Sequence, residues 1–271
     1  ALSDEDKAGR DMVMEWMRQL GLAVSTDKIG NVVGVRPGSE PGEPVMTGSH
    51  IDTVATGGIY DGNLGVLAGL EVVAVLNDAG VVTKRPIAVG FFTNEEGARF
   101  APDMMGSGVH QGALDLDECL DAVGIDGSSV RDNLERIGHA GDQPVGKMQA
   151  HSFFELHVEQ GPLLEEEGIT IGAVTGVQGI SWTEYTIKGV SNHAGTTPMR
   201  LRHDAGYAAA AIATEARRIA DDMGGNQVAT SGVITLKPNL INVIAKHATV
   251  TVDLRNTDEA LLQTSEQRMQ A

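Results

Sequence analysis

Ile87-Ala88-Val89-Gly90-Phe91-Phe92-Thr93-Asn94-Glu95-Glu96-Gly97 reads as a buried strand that runs out into a polar turn. A continuous apolar run without alternation is what a central parallel strand shows, because both of its faces are covered. Upstream, Leu64 to Leu76 is apolar, rich in alanine and glycine, and closed by Asn77 to Gly80, which predicts a buried helix packed closely on a sheet. Before it, Val45-Met46 leads into Gly48-Ser49-His50-Ile51-Asp52-Thr53-Val54, so another strand is expected to end near His50. Strand, helix, strand is the alternation of an α/β domain, here with a mostly parallel central sheet flanked by helices. Open sheets of this kind place their sites at the carboxyl ends of their strands.

The polar residues at those ends can be given roles from chemistry. His50 can offer a neutral ring nitrogen to a metal, and Asp52 could accept the hydrogen bond from its other nitrogen and fix the tautomer. Asp61, flanked by Gly58 and Gly62, could offer both carboxylate oxygens in a tight turn. Glu95 and Glu96 can divide the labour, one ligating a metal while its neighbour handles protons. A third apolar segment, Phe153-Phe154-Glu155-Leu156-His157-Val158-Glu159-Gln160, brings His157 and Gln160 to what reads as another strand end. A polar loop with one histidine, a solvated pair of acids and a structural histidine are the bland alternatives. Convergence of His50, Asp61, Glu96 and His157 favours the metal site.

Outward from this centre, Ser3 with Asp6 reads as a weakened capping box, and Met12, Val13, Trp16, Met17 and Leu20 recur at helical spacing before Gly21. Leu22 to Val24 and Asn31 to Val35 read as short strands around Gly30. Helical pieces are expected over Leu116 to Val123 and Val130 to Ile137. Gly141 to Met148 has phosphate-loop spacing but is rejected as a nucleotide site, because Met148 stands where a hydroxyl should hold magnesium and Pro144 removes an amide. After Gly176 the pattern changes. Trp182 to Ile187 alternates as a strand, Ala205 to Ala220 is an alanine-rich helix, and Val228 to Leu236 and Thr249 to Leu254 are further strands. A smaller α/β sandwich with an antiparallel sheet is expected there, giving domains 1–177 and 178–271. Its polar outliers are His193, Asn242 and Arg255. The arginine could bind a carboxylate bidentately or pair with Asp253 or Asp258.

Composition narrows the function classes. The chain has 271 residues, 41% of them hydrophobic, and a formal net charge of -17, which opposes binding to nucleic acid or an anionic membrane. No apolar run approaches the roughly 20 residues of a membrane span. The single cysteine, Cys119, cannot form an internal disulfide and points to a reducing, cytoplasmic compartment.

The motifs together carry a resemblance. His50-Ile-Asp52-Thr, Tyr60-Asp61-Gly, Thr93-Asn-Glu95-Glu96-Gly, Glu155-Leu-His157-Val-Glu-Gln160-Gly-Pro, Asn192-His193-Ala-Gly-Thr-Thr-Pro198 and Asp253-Leu-Arg255 occur in the order and approximate spacing of a known family. It is that of the N-carbamoyl-L-amino-acid hydrolases, ureidopropionases and allantoate amidohydrolases, a branch of the dinuclear-metal aminoacylase and peptidase superfamily. The resemblance implies a catalytic domain and a lid domain that also makes a homodimer. It implies two divalent ions, one on His50 and His157, the other on Glu96, with Asp61 bridging them and Asp52 orienting His50. Zinc suits such ligands, and manganese, cobalt or nickel would be accepted. Glu95 resembles the general base and His193 the oxyanion donor, supplied across the dimer interface. Gln160, Asn242 and Arg255 resemble the contacts to a small ureido or amide substrate, Arg255 taking its carboxylate.

The activity implied is hydrolysis of a linear ureido or amide C–N bond. An aminopeptidase or N-acyl aminoacylase of the superfamily, and a non-catalytic dimerising protein, are the rival readings. The family's second ion needs a further histidine, and none of His110, His139, His151, His203 and His247 stands in a matching motif. The chain is therefore expected to be a fragment, with parts of both domains beyond Ala271.

Overall fold

The computed structural model describes residues 1–146 and 149–271; Lys147 and Met148, the end of the phosphate-loop match, lie outside the described residues. The chain divides into two compact units, Ala1–Glu167 and Gly168–Ala271. Val177 falls in the stretch without regular structure that leads into the first strand of the second unit.

In chain order the first unit contains α1 (Asp4–Gln19), β1 (Ala23–Thr26), β2 (Val32–Arg36), β3 (Val45–His50), α2 (Asn63–Asp78), β4 (Ile87–Phe92), α3 (Met105–His110), α4 (Leu116–Asp121), α5 (Val130–Ile137), β5 (Ser152–Phe154) and α6 (Leu163–Glu167). The sheet order is β1-β2-β4-β3-β5. The three strands that feed the candidate site, β4, β3 and β5, run parallel, and β1 and β2 add antiparallel pairings at one edge. Parallel register sets Val45 beside Ile87 and His50 beside Phe92, so β3 and β4 end level. On the other side Thr47 pairs with Phe154, where β5 stops, and the same register extended reaches His157 opposite His50. The third strand end is therefore a short strand followed by irregular chain.

Helix α2 lies close on β3 because it presents glycine to it. A Cβ on Gly65 would stand 2.7 Å from the Leu156 carbonyl oxygen and 2.9 Å from Ser49 Cβ, and one on Gly69 would stand 2.8 Å from Thr47 Cγ2. One core joins Val13 and Met17 of α1, Val66, Leu70 and Val73 of α2, and Val32, Val89 and Phe91 of the sheet. A second core, including Phe100, Met105, Leu134 and Ile137, lies around α3, α4 and α5. Ser3 caps α1 by accepting from the Asp6 amide at 3.2 Å. The face of α1 turned to the core is Arg10, Val13 and Met17, whereas Met12 and Trp16 are exposed.

The second unit contains β6 (Gly179–Lys188), a single 3-10 turn (Met199–Leu201), α7 (Ala205–Met223), β7 (Val228–Thr230), β8 (Ile234–Lys237), β9 (His247–Asn256) and α8 (Glu259–Gln270). All three neighbours of β9 pair with it antiparallel. Alternation along β9 buries Ala248, Val250, Val252 and Leu254, which pack with Ala205, Ala209 and Ala216 of α7 and Leu262 of α8. Small alanine side chains let that helix approach the sheet closely. The strand expected over Val228 to Leu236 is broken into β7 and β8, because the intervening Val233 exchanges main-chain and side-chain bonds with Thr251. Among the described residues no helix is long and apolar enough to cross a membrane.

Candidate metal centre

The level ends of β3 and β4 put His50 and the Thr93–Glu96 turn side by side. His50 is 2% exposed, and its Nδ1 is bonded at 2.8 Å to the main-chain carbonyl of Asp52. Sequence reading gave that bond to the Asp52 carboxylate; the carboxylate is instead 4.0 Å away and accepts from the Glu95 amide at 3.2 Å and the Glu96 amide at 3.3 Å. The His50 ring takes its orientation from a main-chain carbonyl only two residues on, which leaves the Asp52 carboxylate for the glutamate turn. Asp52 thus serves both strand ends, its carbonyl orienting His50 and its carboxylate holding the glutamate turn. Asn94 within that turn has φ 53, a left-handed conformation, and its Nδ2 donates to the Phe100 and Pro102 carbonyls at 2.8 and 3.1 Å.

His157 repeats the His50 arrangement, with Nδ1 bonded to the Val158 carbonyl at 2.9 Å. In the neutral rings both Nδ1 atoms donate, which leaves both Nε2 lone pairs free. Those lone pairs face the same oxygen: Asp61 Oδ1 is 3.9 Å from His50 Nε2 and 3.2 Å from His157 Nε2. Three acceptors turned on one another repel unless a cation lies among them, and the three ligand atoms all fall within 4.8 Å of one another. Two imidazoles oriented by carbonyls and one carboxylate are a donor set that fits zinc or a related divalent ion.

The remaining candidates of this unit are close by but differently engaged. Glu95 Oε2 is 3.4 Å from His50 Nε2. Burial pushes its carboxyl above the ordinary glutamate value; His50 opposes this, and Asp52, Glu96 and Glu155 add to it. Glu96 is outside the three-ligand group, and its Oε1 is buried without a hydrogen-bond partner, an orphaned acceptor that a cation would satisfy. Gln160, expected to contact substrate, has φ 57 and donates from Nε2 to Asp61 Oδ2 at 2.7 Å. That is the oxygen a bridging role would need for a second ion.

One contact escapes sequence reading, and Gly62, read there only as part of a tight turn, has a second role. Ser49 Oγ donates to Glu155 Oε1, tying the residue before His50 to the one two before His157. Their adjacency to predicted ligands was the available signal. Gly62 has φ 71 and caps α2, and a Cβ there would lie 2.5 Å from His50 Cδ2 and Cε1. Gly62→Ala therefore combines a sparsely populated positive-φ backbone, φ 71 with ψ -47, costing roughly 1–3 kcal/mol for a residue with a Cβ, with displacement of the His50 ring. The expected result is a lower melting temperature and weaker zinc binding in calorimetry; wild-type zinc affinity would show that the ring's seat is not set by Gly62.

The second unit holds the remaining candidates, His193, Asn242 and Arg255. His193 and Asn242 are brought together, since His193 bridges Val243 and the Ala194 amide donates to the Asn242 carbonyl at 3.0 Å. Arg255 is paired along its own strand with Asp253, Nε to Oδ1 at 3.0 Å and Nη2 to Oδ2 at 2.8 Å. Any anion it binds must share the guanidinium with that carboxylate.

Residues 46–252, a span that includes His50, Asp61, Glu95, Glu96, His157 and His193, match the model of peptidase family M20/M25/M40. The chain belongs to this family. Within it, the chain is 44% identical over 271 residues to an N-carbamoyl-L-amino-acid amidohydrolase of Rhizobium meliloti, covering 100% of itself and 65% of that protein. It is 43% identical over 263 residues to an N-carbamoyl-L-amino acid amidohydrolase of Geobacillus stearothermophilus, covering 93% of itself and 62% of the relative. The crystal structure of a hydantoinase/carbamoylase family amidase from Burkholderia multivorans superposes with a TM-score of 0.92 at 45% identity, over 100% of this chain and 66% of that one. The chain therefore spans somewhat under two thirds of the length of these curated family members.

Proposed function

We propose that this protein is a metal-dependent amidohydrolase acting on a linear ureido or amide C–N bond, with an N-carbamoyl-L-amino acid as the favoured substrate and ureidopropionate or allantoate as close analogues. The observation that carries the reading is the pair of oriented imidazoles whose Nε2 lone pairs meet at Asp61 Oδ1. His50, His157 and Asp61 would hold one divalent ion, zinc by ligand type, and Glu96 with the second oxygen of Asp61 would hold another, in competition with Gln160. When bound, such an ion supplies Lewis-acid polarisation of the scissile carbonyl and acidifies water.

The protein's own groups do the rest. Glu95, beside His50 and biased toward protonation by burial, takes the proton of the attacking water and returns it to the leaving nitrogen. His193 donates to the developing oxyanion, and Asn242, Arg255 and Gln160 orient the substrate and its carboxylate. The first unit serves as the catalytic domain and the second as a lid and homodimerisation domain.

Loaded with zinc, manganese or cobalt, the protein is expected to hydrolyse N-carbamoyl amino acids, ureidopropionate or allantoate in preference to dipeptides and N-acyl amino acids. Turnover of only the last two would move it to the peptidase and aminoacylase side of the family. Metal uptake with no turnover of any of them would leave a binding protein.

A further inference from the structure

The turn that carries His193 fixes where the proton of its ring resides. His193 Nδ1 accepts from the Gly195 amide at 3.0 Å and from the Thr196 amide at 3.3 Å. A ring nitrogen that accepts main-chain N–H groups has no proton of its own, so the neutral imidazole must carry its proton on Nε2. This is the reverse of His50 and His157, whose Nδ1 atoms face carbonyl oxygens. Glycine lets the main chain come this near: a Cβ on Gly195 would be 3.3 Å from His193 Cε1 and 3.5 Å from Nδ1.

The turn is in turn clamped by a residue with no role so far. Arg202 donates from Nε to the Thr197 carbonyl at 3.0 Å and from Nη2 to the Ala194 carbonyl at 2.6 Å, so its fork spans the two residues that flank Gly195 and Thr196. Thr197 Oγ1 closes the loop on the His193 carbonyl at 2.8 Å. The Asn192 carbonyl accepts from the Ile244 amide at 2.9 Å, which anchors the entry to the turn. A planar guanidinium can satisfy two carbonyls at a fixed separation in a way that a lysine ammonium cannot.

We propose that Arg202 is a positioning residue that holds the Ala194–Thr197 turn with its amides on His193 Nδ1, keeping His193 in the Nε2–H tautomer and so presenting a ready donor outward. The catalytic consequence rests on the proposed oxyanion role of His193. The tautomer and the action of Arg202 rest on the turn alone.

The test is a long-range proton–nitrogen correlation spectrum of the full chain labelled with 15N-histidine, taken at about pH 8, above the ordinary histidine range. The His193 signals are identified by their loss in His193→Gln. An unprotonated Nδ1 with a protonated Nε2 is expected, and an Nδ1–H tautomer in the wild type overturns the proposal without need of a further variant. In Arg202→Met the signals should move toward a mixture of tautomers, with Arg202→Lys intermediate; a pure Nε2–H spectrum in a folded Arg202→Met protein overturns the role of Arg202. In turnover, kcat of Arg202→Met should fall roughly ten- to hundredfold, the scale of a misplaced catalytic group, with KM little changed. Undiminished kcat in His193→Gln overturns the oxyanion reading, whereas the wrong tautomer in a protein whose kcat does depend on His193 overturns this inference.

Discussion

Glu95→Gln is expected to keep its metal and lose turnover by about 10²- to 10⁴-fold, the range attached to a positioned acid or base. Glutamine preserves the shape of the side chain and the amide that donates to Asp52, so the turn should be retained. It removes only the ability to take a proton beside His50. Neither glutamate belongs to the His50, Asp61 and His157 group, but Glu95, unlike Glu96, has no buried oxygen left without a partner for a cation to satisfy, so metal should stay. Glu96→Gln should do the opposite. Its carboxylate has a buried oxygen with no partner, and a neutral amide there satisfies a cation poorly, so metal stoichiometry should drop. Elemental analysis of both variants alongside initial rates decides the matter. Equal metal loss from the two would contradict the division of labour between them.

The strand that opens the sequence reading is legible for a simple reason: an unbroken apolar run has few ways to be buried except between two covered faces, and Ile87–Phe92 is β4. Helix α2 is legible for the same kind of reason, because its glycines and alanines leave it no option but close approach. The site is legible as a set of residue types at strand ends, but its bonding is less so. Whether Asp52 serves His50 through its carboxylate or its carbonyl depends on the path of the main chain after β3, which no spacing rule encodes. His157 reads as a strand-end residue although β5 stops at Phe154, since hydrophobicity continues through Leu156 after the pairing has ended. The tilt of His193 onto the Gly195 and Thr196 amides is likewise a property of a turn, invisible in a motif. Reading periodicity from apolar residues alone also misassigns the inward face of α1. It selects Met12 and Trp16, which are exposed, and passes over Arg10, which is 0% exposed, because a charge is not counted as core.

That buried arginine carries the second large expected effect. Arg10 donates from Nε to Asp6 Oδ2 at 3.1 Å, from Nη1 to the Gly30 carbonyl at 2.8 Å and from Nη2 to Thr93 Oγ1 at 3.1 Å, and its guanidinium carbon lies 5.4 Å from the centre of the Phe91 ring. Its partner is as enclosed as it is, with side-chain exposures of 1% for Arg10 and 5% for Asp6. Burial pushes the Asp6 carboxyl up, but Arg10 and the Leu2 amide act against it, and Asp6 sits below its ordinary value. A depressed carboxylate contributes stability that is present above its unfolded value and is lost as pH falls through its folded value. Arg10→Met removes the group that holds Asp6 down and leaves a buried charge without its counter-ion, a change that costs about 3–5 kcal/mol in comparable sites. Urea denaturation near neutral pH should show that loss, and the deficit relative to wild type should shrink as pH is lowered and Asp6 becomes neutral. The double variant Arg10→Met with Asp6→Asn should recover part of it, because no charge is then left stranded. A loss below about 1 kcal/mol, the scale of an exposed ion pair, would show that water reaches the pair in solution. Since Thr93 begins the turn that carries Glu95, the same substitution should also lower turnover under conditions where the variant is fully folded, linking a helix far from the proposed metal ligands in sequence to the placement of the proposed base.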